Sequence, residues 1–287
     1  MNIARALSLV ALAAAAAAGV GAAVVVEARA DTPVVANVLA VHGHWTLNGG
    51  GEITGSTDLP GGAVIQPQAG AKPDSSWKII LMLRGTGQLI GCKKYDGTCR
   101  LPIHLPQSAG GDPTMNLADN IAHAISISSD HRRFLPNHVR SALRGGAVLT
   151  ERVVTLDGTK LDPNAFVAGA PAGTYKLRLR DIDPAHAPTD DIFVKFVWDQ
   201  NHTAPVEVGE LKPGVYEVQL FDGSGSYPRT DPAWLGIVAH GDYAAADARF
   251  TSVRTLVASW GPDADPFVVE RFLRAGLEYV VDGDVTR

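Results

Sequence analysis

Apolar positions along the chain follow two periods. Over residues 34–105 they come in short runs of β-branched and aromatic residues: Val34 to Leu39, Trp45 with Leu47, Ala63-Val64-Ile65, Trp77 to Leu83 and Gln88-Leu89-Ile90. Glycine, proline and aspartate separate the runs, as at Gly49-Gly50-Gly51, Asp58-Leu59-Pro60-Gly61-Gly62 and Gly85-Thr86-Gly87. Short strands punctuated this way build a barrel or sandwich. Past Ser108-Ala109-Gly110-Gly111-Asp112-Pro113 the period changes. Leu117, Ile121, Ala124 and Ile125 predict a helix over Met115–Ser128. A second short helix is expected over Pro136–Arg144, with proline in its first turn and Gly145-Gly146 behind it. Near the C-terminus Tyr243, Ala246, Phe250, Val253, Val257 and Trp260 mark one apolar face. Val269, Phe272, Leu273, Leu277 and Val280 mark another. Asp242 is placed to cap the first of these helices, Gly261-Pro262 ends it and Asp265-Pro266 opens the second. The pair makes a helical hairpin whose apolar faces either pack on the rest of the chain or wait for a partner.

The strongest internal echo lies in residues 147–240. Gly173, Tyr175, Leu177 and Leu179 return as Gly214, Tyr216, Val218 and Leu220 at a constant offset. Each unit is a Pro/Gly turn feeding an alternating strand, with Tyr and Leu on one face and charged or amide residues on the other. Leu211-Lys212-Pro213-Gly214-Val215-Tyr216 resembles the Leu-x-Pro-Gly-x-Tyr corner of immunoglobulin-like sandwiches. That resemblance implies a tyrosine hydroxyl bonded back to nearby backbone. Val148 to Leu156, Ile192 to Trp198 and Trp234 to Ala239 supply further strands. In the N-terminal region, Val41-x-Gly43-x-Trp45 is followed by Leu59-Pro60-Gly61-Gly62-Ala63-Val64-Ile65, a strand, a glycine turn and a strand. This order, over residues 38–105, resembles the FecR-like β domain of bacterial envelope proteins. The likeness implies a binding or signalling module of the envelope, not catalysis.

The expected fold class is mainly β, α+β overall. It comprises a small N-terminal β domain (31–106), a helical connector (107–146), an Ig-like β-sandwich (147–240), and a C-terminal helical hairpin with its tail (241–287). Ahead of these stands an export signal, residues 1–30. Arg5 precedes Ala6 to Val26, a stretch without charge, and Ala28-Arg29-Ala30 is a small-x-small cleavage pattern. The uncharged run is also long enough to span a bilayer, so an uncleaved segment would tether the chain to the membrane. Its alanines insert less favourably than leucine or phenylalanine, which favours cleavage.

Composition narrows the partners. Lys+Arg total 25 against 30 Asp+Glu, a net charge of −5. That argues against a general nucleic-acid binder, whose affinity rests on neutralising phosphates. The two cysteines, Cys92 and Cys99, flank the turn signal Asp96-Gly97. In an exported chain they are expected to form a disulfide, and no further cysteine exists to complete a thiolate metal site.

Candidate chemistry is sparse. His42 and His44 share a face if they lie on one strand, and could then approach a metal with His104 or Glu52 as a third ligand. Surface histidines beside a buried Trp45 give the same pattern. Asp181, Asp183, Asp190 and Asp191 cluster with His186, but without the order of a dedicated calcium loop. Arg132, Arg133, Arg140 and Arg144, with His131 and His138, form the one basic concentration in the sequence. It suits a phosphate, a sulfate or an acidic glycan. Asp222-Gly223-Ser224-Gly225-Ser226 lacks the strand-to-helix setting of a nucleophile elbow and reads as a loop. Asn201-His202-Thr203 fits a glycosylation acceptor.

No convergent catalytic set and no cofactor motif emerges. The expected function is therefore a non-catalytic exported binding or assembly module of a bacterial envelope, recognising an envelope protein or glycan. A secreted hydrolase using His42, His44, Asp181 and Asp183 is the alternative. A signalling role through exposed Phe250, Val257 and Phe272 on the C-terminal helices is a third reading.

Overall fold

Glycine and proline punctuation divides the N-terminal half into short strands. They are β1 (Val34–His42), β2 (Trp45–Leu47), β3 (Gly51–Glu52), β4 (Leu59–Pro60), β5 (Val64–Pro67), β6 (Lys78–Leu83), β7 (Leu89–Cys92) and β8 (Ile103–His104). The computed structural model describes residues 33–97, 99–111, 115–128, 148–183, 186, 189–199 and 203–282. The export segment, the expected helix at 136–144, and Arg132, Arg133, Arg140 and Arg144 lie outside the described residues, as does Asn201.

The short strands assemble into two four-stranded antiparallel sheets, β4-β1-β6-β7 and β3-β2-β5-β8. They face each other across a core that includes Val38, Trp45, Leu59, Ile65, Ile79 and Leu81. The chain passes from the first sheet to the second at Gly43, whose φ of 86° only glycine adopts readily. A Cβ there would run into the Trp77 ring. Cys92, at the end of β7, is bonded to Cys99 (Cα–Cα 5.2 Å). The bridge staples the loop that carries the chain back to β8 in the other sheet, a crossing where the sequence suggested a simple hairpin.

The next elements are α1 (Asn116–Ser128), β9 (Val148–Leu149), β10 (Arg152–Thr155), β11 (Lys160–Leu161), β12 (Val167–Ala168), β13 (Gly173–Asp181), β14 (Ile192–Trp198), β15 (Val206–Glu207), β16 (Gly214–Asp222) and β17 (Ala233–Val238). Five of the strands form a sheet in the order β10-β17-β16-β13-β14, antiparallel except for the β10–β17 pair. The two echoing units are its neighbours β13 and β16, paired with Leu177 opposite Leu220 and Leu179 opposite Val218. Their inward residues meet the small ladders β9–β12 and β11–β15 in a second core containing Phe166, Tyr175, Trp198 and Tyr216. Both tyrosine hydroxyls donate back to backbone at 2.9 Å, Tyr175 to the Pro171 carbonyl and Tyr216 to that of Lys212.

The C-terminal helices are α2 (Tyr243–Ser259) and α3 (Pro266–Asp282). With α1 they form a layer between the β1/β6 side of the first sheet and the β10/β17/β16 side of the five-stranded one. A third core joins Leu39, Ile80, Ile121, Phe250, Phe272, Val215 and Trp234. The described residues thus make a mainly β, α+β protein, and among them no helix is long and apolar enough to cross a membrane.

Two local expectations change. Asp242 makes no side-chain cap, because a turn of 3-10 helix at His240–Asp242 feeds α2. Asp265 does cap α3, accepting from the backbone of Phe267 and Val268. On α3 the buried residues are Val268, Arg271, Phe272, Gly276, Leu277 and Val280, with Val269 and Leu273 only half-buried. Arg271 is inside because it is needed there. It donates to the carbonyl of Leu39 (3.0 Å), at an irregularity of the β1–β6 register, and to that of Ile125 (2.9 Å) in the last turn of α1. Hydrogen bonds from a charged group to buried carbonyls are among the stronger ones, so these two fasten α3 to β1 and α1.

Candidate binding face

The helices cover only part of the outer face of the five-stranded sheet. Register places Thr174, Lys176, Arg178 and Arg180 of β13 on that face. Directly opposite stand Val197, Lys195 and Phe193 of β14, and Phe221, Gln219 and Glu217 of β16. Towards β17 the face disappears beneath α2 and α3; towards β14 it is open. Phe193 (55 % exposed), Val197 (67 %) and Tyr227 (69 %) are the exposed large apolar residues among those described. Two flank Lys195 on β14, and the third lies in the β16–β17 loop that meets Lys176.

The charges on this face divide into a balanced part and an unbalanced one. Arg178 donates to Glu217, and Arg180 grips Asp191 with two bonds of 2.8 and 3.0 Å. Longer approaches of 3.8 and 3.9 Å close a ring of two guanidiniums and two carboxylates. The hydrogen bond from Arg180 holds the Asp191 carboxyl below its ordinary pKa. Next to this ring, Lys176 and Lys195 stand opposite each other. Lys176 donates to the Ser224 carbonyl (3.0 Å), and Lys195 has no partner among the described residues. Around them, Phe193 meets the Phe221 ring edge-on at 6.4 Å, and the Arg178 guanidinium sits 5.7 Å from the centre of Phe221. Asp222 organises the adjoining loop by accepting from Ser224 Oγ (2.6 Å) and from the backbone of Gly225 and Ser226. Those donors lower its pKa, the Ser224 hydroxyl foremost. Ser224 and Ser226 are thus turn residues. The face can hold an anion at the lysines while apolar or planar groups lie on Phe193, Val197 and Phe221.

The residues singled out in the sequence do not converge. His42 ends β1 and His44 precedes β2, with Gly43 turning between the two sheets, so the pair does not share the strand face expected of it. His44 bonds Glu52 (2.9 Å), and among the described residues no group of three or more ligand-type side chains could hold a metal. Asp181 accepts from His186 (2.7 Å) and from the Asp183 backbone (3.0 Å), whereas Asp191 serves the arginines. Burial and the Asp181 charge push the neighbouring Tyr216 hydroxyl up to about 12. A pocket of about 400 Å³ beside His42 is lined by Lys78, Phe267 and Arg271, without Asp181 or Asp183. Phe250, Val257 and Phe272 are buried, so they offer no surface to a partner.

Phe193, Lys195, Val197, Lys176 and Phe221 escaped notice in the sequence. Ile192-Phe193-Val194-Lys195-Phe196-Val197-Trp198 is apolar at nearly every position, which hides the alternation that sorts a half-covered strand. The available signal was that excess: an antiparallel strand apolar on both faces, in a loop-bounded stretch. No protein-family model, curated protein or solved structure matches this chain. Fold and face together define a mainly β protein bearing an open aromatic and cationic sheet surface.

Proposed function

We propose that this chain is an exported, non-catalytic binding or assembly module of a bacterial envelope. The open face of the five-stranded sheet holds its partner, an envelope protein or glycan that carries negative charge and apolar groups. One observation carries the reading: the exposed large apolar residues among those described gather around a pair of lysines that no described carboxylate bridges. Large apolar residues grouped on a surface mark interaction sites more often than scattered ones do. The disulfide and the alanine-rich leader with its small-x-small site support export.

Titrating the full chain with poly-L-glutamate and with polygalacturonate, two defined polyanions, tests the face. Binding of at least one is expected, weakening as salt screens it. Lys195→Glu and Phe193→Ser should each lower affinity about tenfold or more, a loss typical of central contacts, without changing the unfolding temperature. No binding to either polymer, or equal binding by both variants, overturns the reading.

A further inference from the structure

The outermost strand of the five-stranded sheet, β14, is long and regular. β14 pairs with β13 residue for residue, from Gly173 opposite Trp198 to Leu179 opposite Ile192, with no bulge. Among the described residues nothing pairs with its other side. Such an edge presents a row of free backbone groups. Proteins commonly blunt it with shortness, proline, a bulge or a lysine. β14 is seven residues long and carries only the last of these, Lys195. The opposite edge, β10, is four residues.

We propose that β14 accepts an extended segment of an acidic partner protein as a sixth strand. A carboxylate of the segment stands opposite Lys195, and apolar side chains two residues to either side meet Phe193 and Val197. This deepens the binding reading above and rests on it. Charge selects the occupant. Lys176 stands directly across from Lys195 on β13, so the exposed centre of the edge is doubly positive. A second copy of the chain, paired antiparallel over the whole strand, would set Lys195 against Lys195, and like charges directly opposite are unfavourable. An acidic residue in that place turns the repulsion into attraction. Backbone bonds along the edge supply affinity, and the alternate side chains supply selection. The required pattern, apolar-x-acidic-x-apolar, reads the same in both directions, so it serves a parallel or an antiparallel sixth strand.

The test is fluorescence anisotropy of a labelled, capped heptapeptide, Thr-Val-Thr-Glu-Thr-Val-Thr, against the full chain. The peptide is expected to bind, with Lys195→Glu or a Glu-to-Lys change in the peptide each weakening it about tenfold. Combining the two changes should restore most of the loss. Two further peptides are methylated on alternate backbone nitrogens. Only one set of nitrogens faces β14, so one of these peptides should fail and the other bind like the parent. If both methylated peptides bind like the parent, strand addition is wrong while the face reading stands. The same holds if the heptapeptide fails but poly-L-glutamate binds. If the heptapeptide and both polyanions fail to bind, both fall. A chain that dimerises through β14, with a concentration-dependent mass in sedimentation that an edge proline abolishes, overturns the acidic partner as occupant.

Discussion

At the scale of single residues, hydroxyls and guanidiniums fasten what the apolar pattern cannot. Tyr216 is buried, and its hydroxyl bond to Lys212 closes the turn that starts β16. Tyr216→Phe should cost about 1 kcal/mol in urea unfolding, the usual net worth of one such bond, with the fold retained. The same hydroxyl titrates near 12, above the ordinary tyrosine value of 10.0, because burial and Asp181 disfavour the phenolate. A group whose folded pKa is raised keeps its full contribution below the unfolded value and loses it on the way to the folded one. Alkaline unfolding of the native protein should therefore steepen between pH 10 and 12, and Tyr216→Phe should remove that part of the slope. Asp191 has the opposite sign: Arg180 lowers its pKa, so its contribution is present at neutral pH and fades as acid protonates it. The tyrosine-to-backbone bond was legible in the sequence because Pro-Gly-x-Tyr is local. The arginine–carboxylate ring was not, because Glu217 and Asp191 reach Arg178 and Arg180 only through strand register.

Elements meet at points where glycine removes a side chain. A Cβ at Gly276 of α3 would lie 2.8 Å from Val253 Cγ1 of α2. One at Gly236 of β17 would lie 2.8 Å from Val281 Cγ2 of α3. Gly276→Val should therefore destabilise by about 1–3 kcal/mol through overpacking, read as a lowered midpoint in urea with the circular dichroism of the native state retained. Asp119 illustrates a cost at this scale. On α1 it accepts from the Gly85 backbone (3.1 Å), yet burial raises its pKa. Its ionised form thus costs stability, a cost absent when the carboxyl is protonated and felt as pH rises through the folded pKa. Asp119→Asn keeps an acceptor for Gly85, and should raise the unfolding temperature at pH 7 while leaving it unchanged at strongly acid pH. The elements themselves were largely readable: α1, both C-terminal helices and most strands begin and end near the glycines, prolines and caps that mark them. The sheet to which each strand belongs was not, since Gly43 sends two adjacent strands into different sheets without any break in the apolar pattern.

For the whole molecule, a helical layer welds two β regions that looked separable in sequence. Arg271 stands at the join, spanning β1, α1 and α3. Arg271→Met should lower stability by about 2–5 kcal/mol, because it removes both buried guanidinium hydrogen bonds that tie β1 and α1 to α3. Calorimetry should show the loss in one cooperative transition. A charged residue inside a helix gives no sign in sequence that it will be buried, so this join was invisible there. The candidate face was invisible for a related reason. Which half of a sheet the helices leave open depends on how they dock, and periodicity says nothing about docking.

The most direct test of the binding face is an amide chemical-shift map of the isotope-labelled full chain titrated with poly-L-glutamate. Shifts gathered on residues 174–178, 192–198 and 219–228 are the expected result. Shifts spread evenly over the surface, or concentrated on the sheets formed by residues 34–104, would contradict the account.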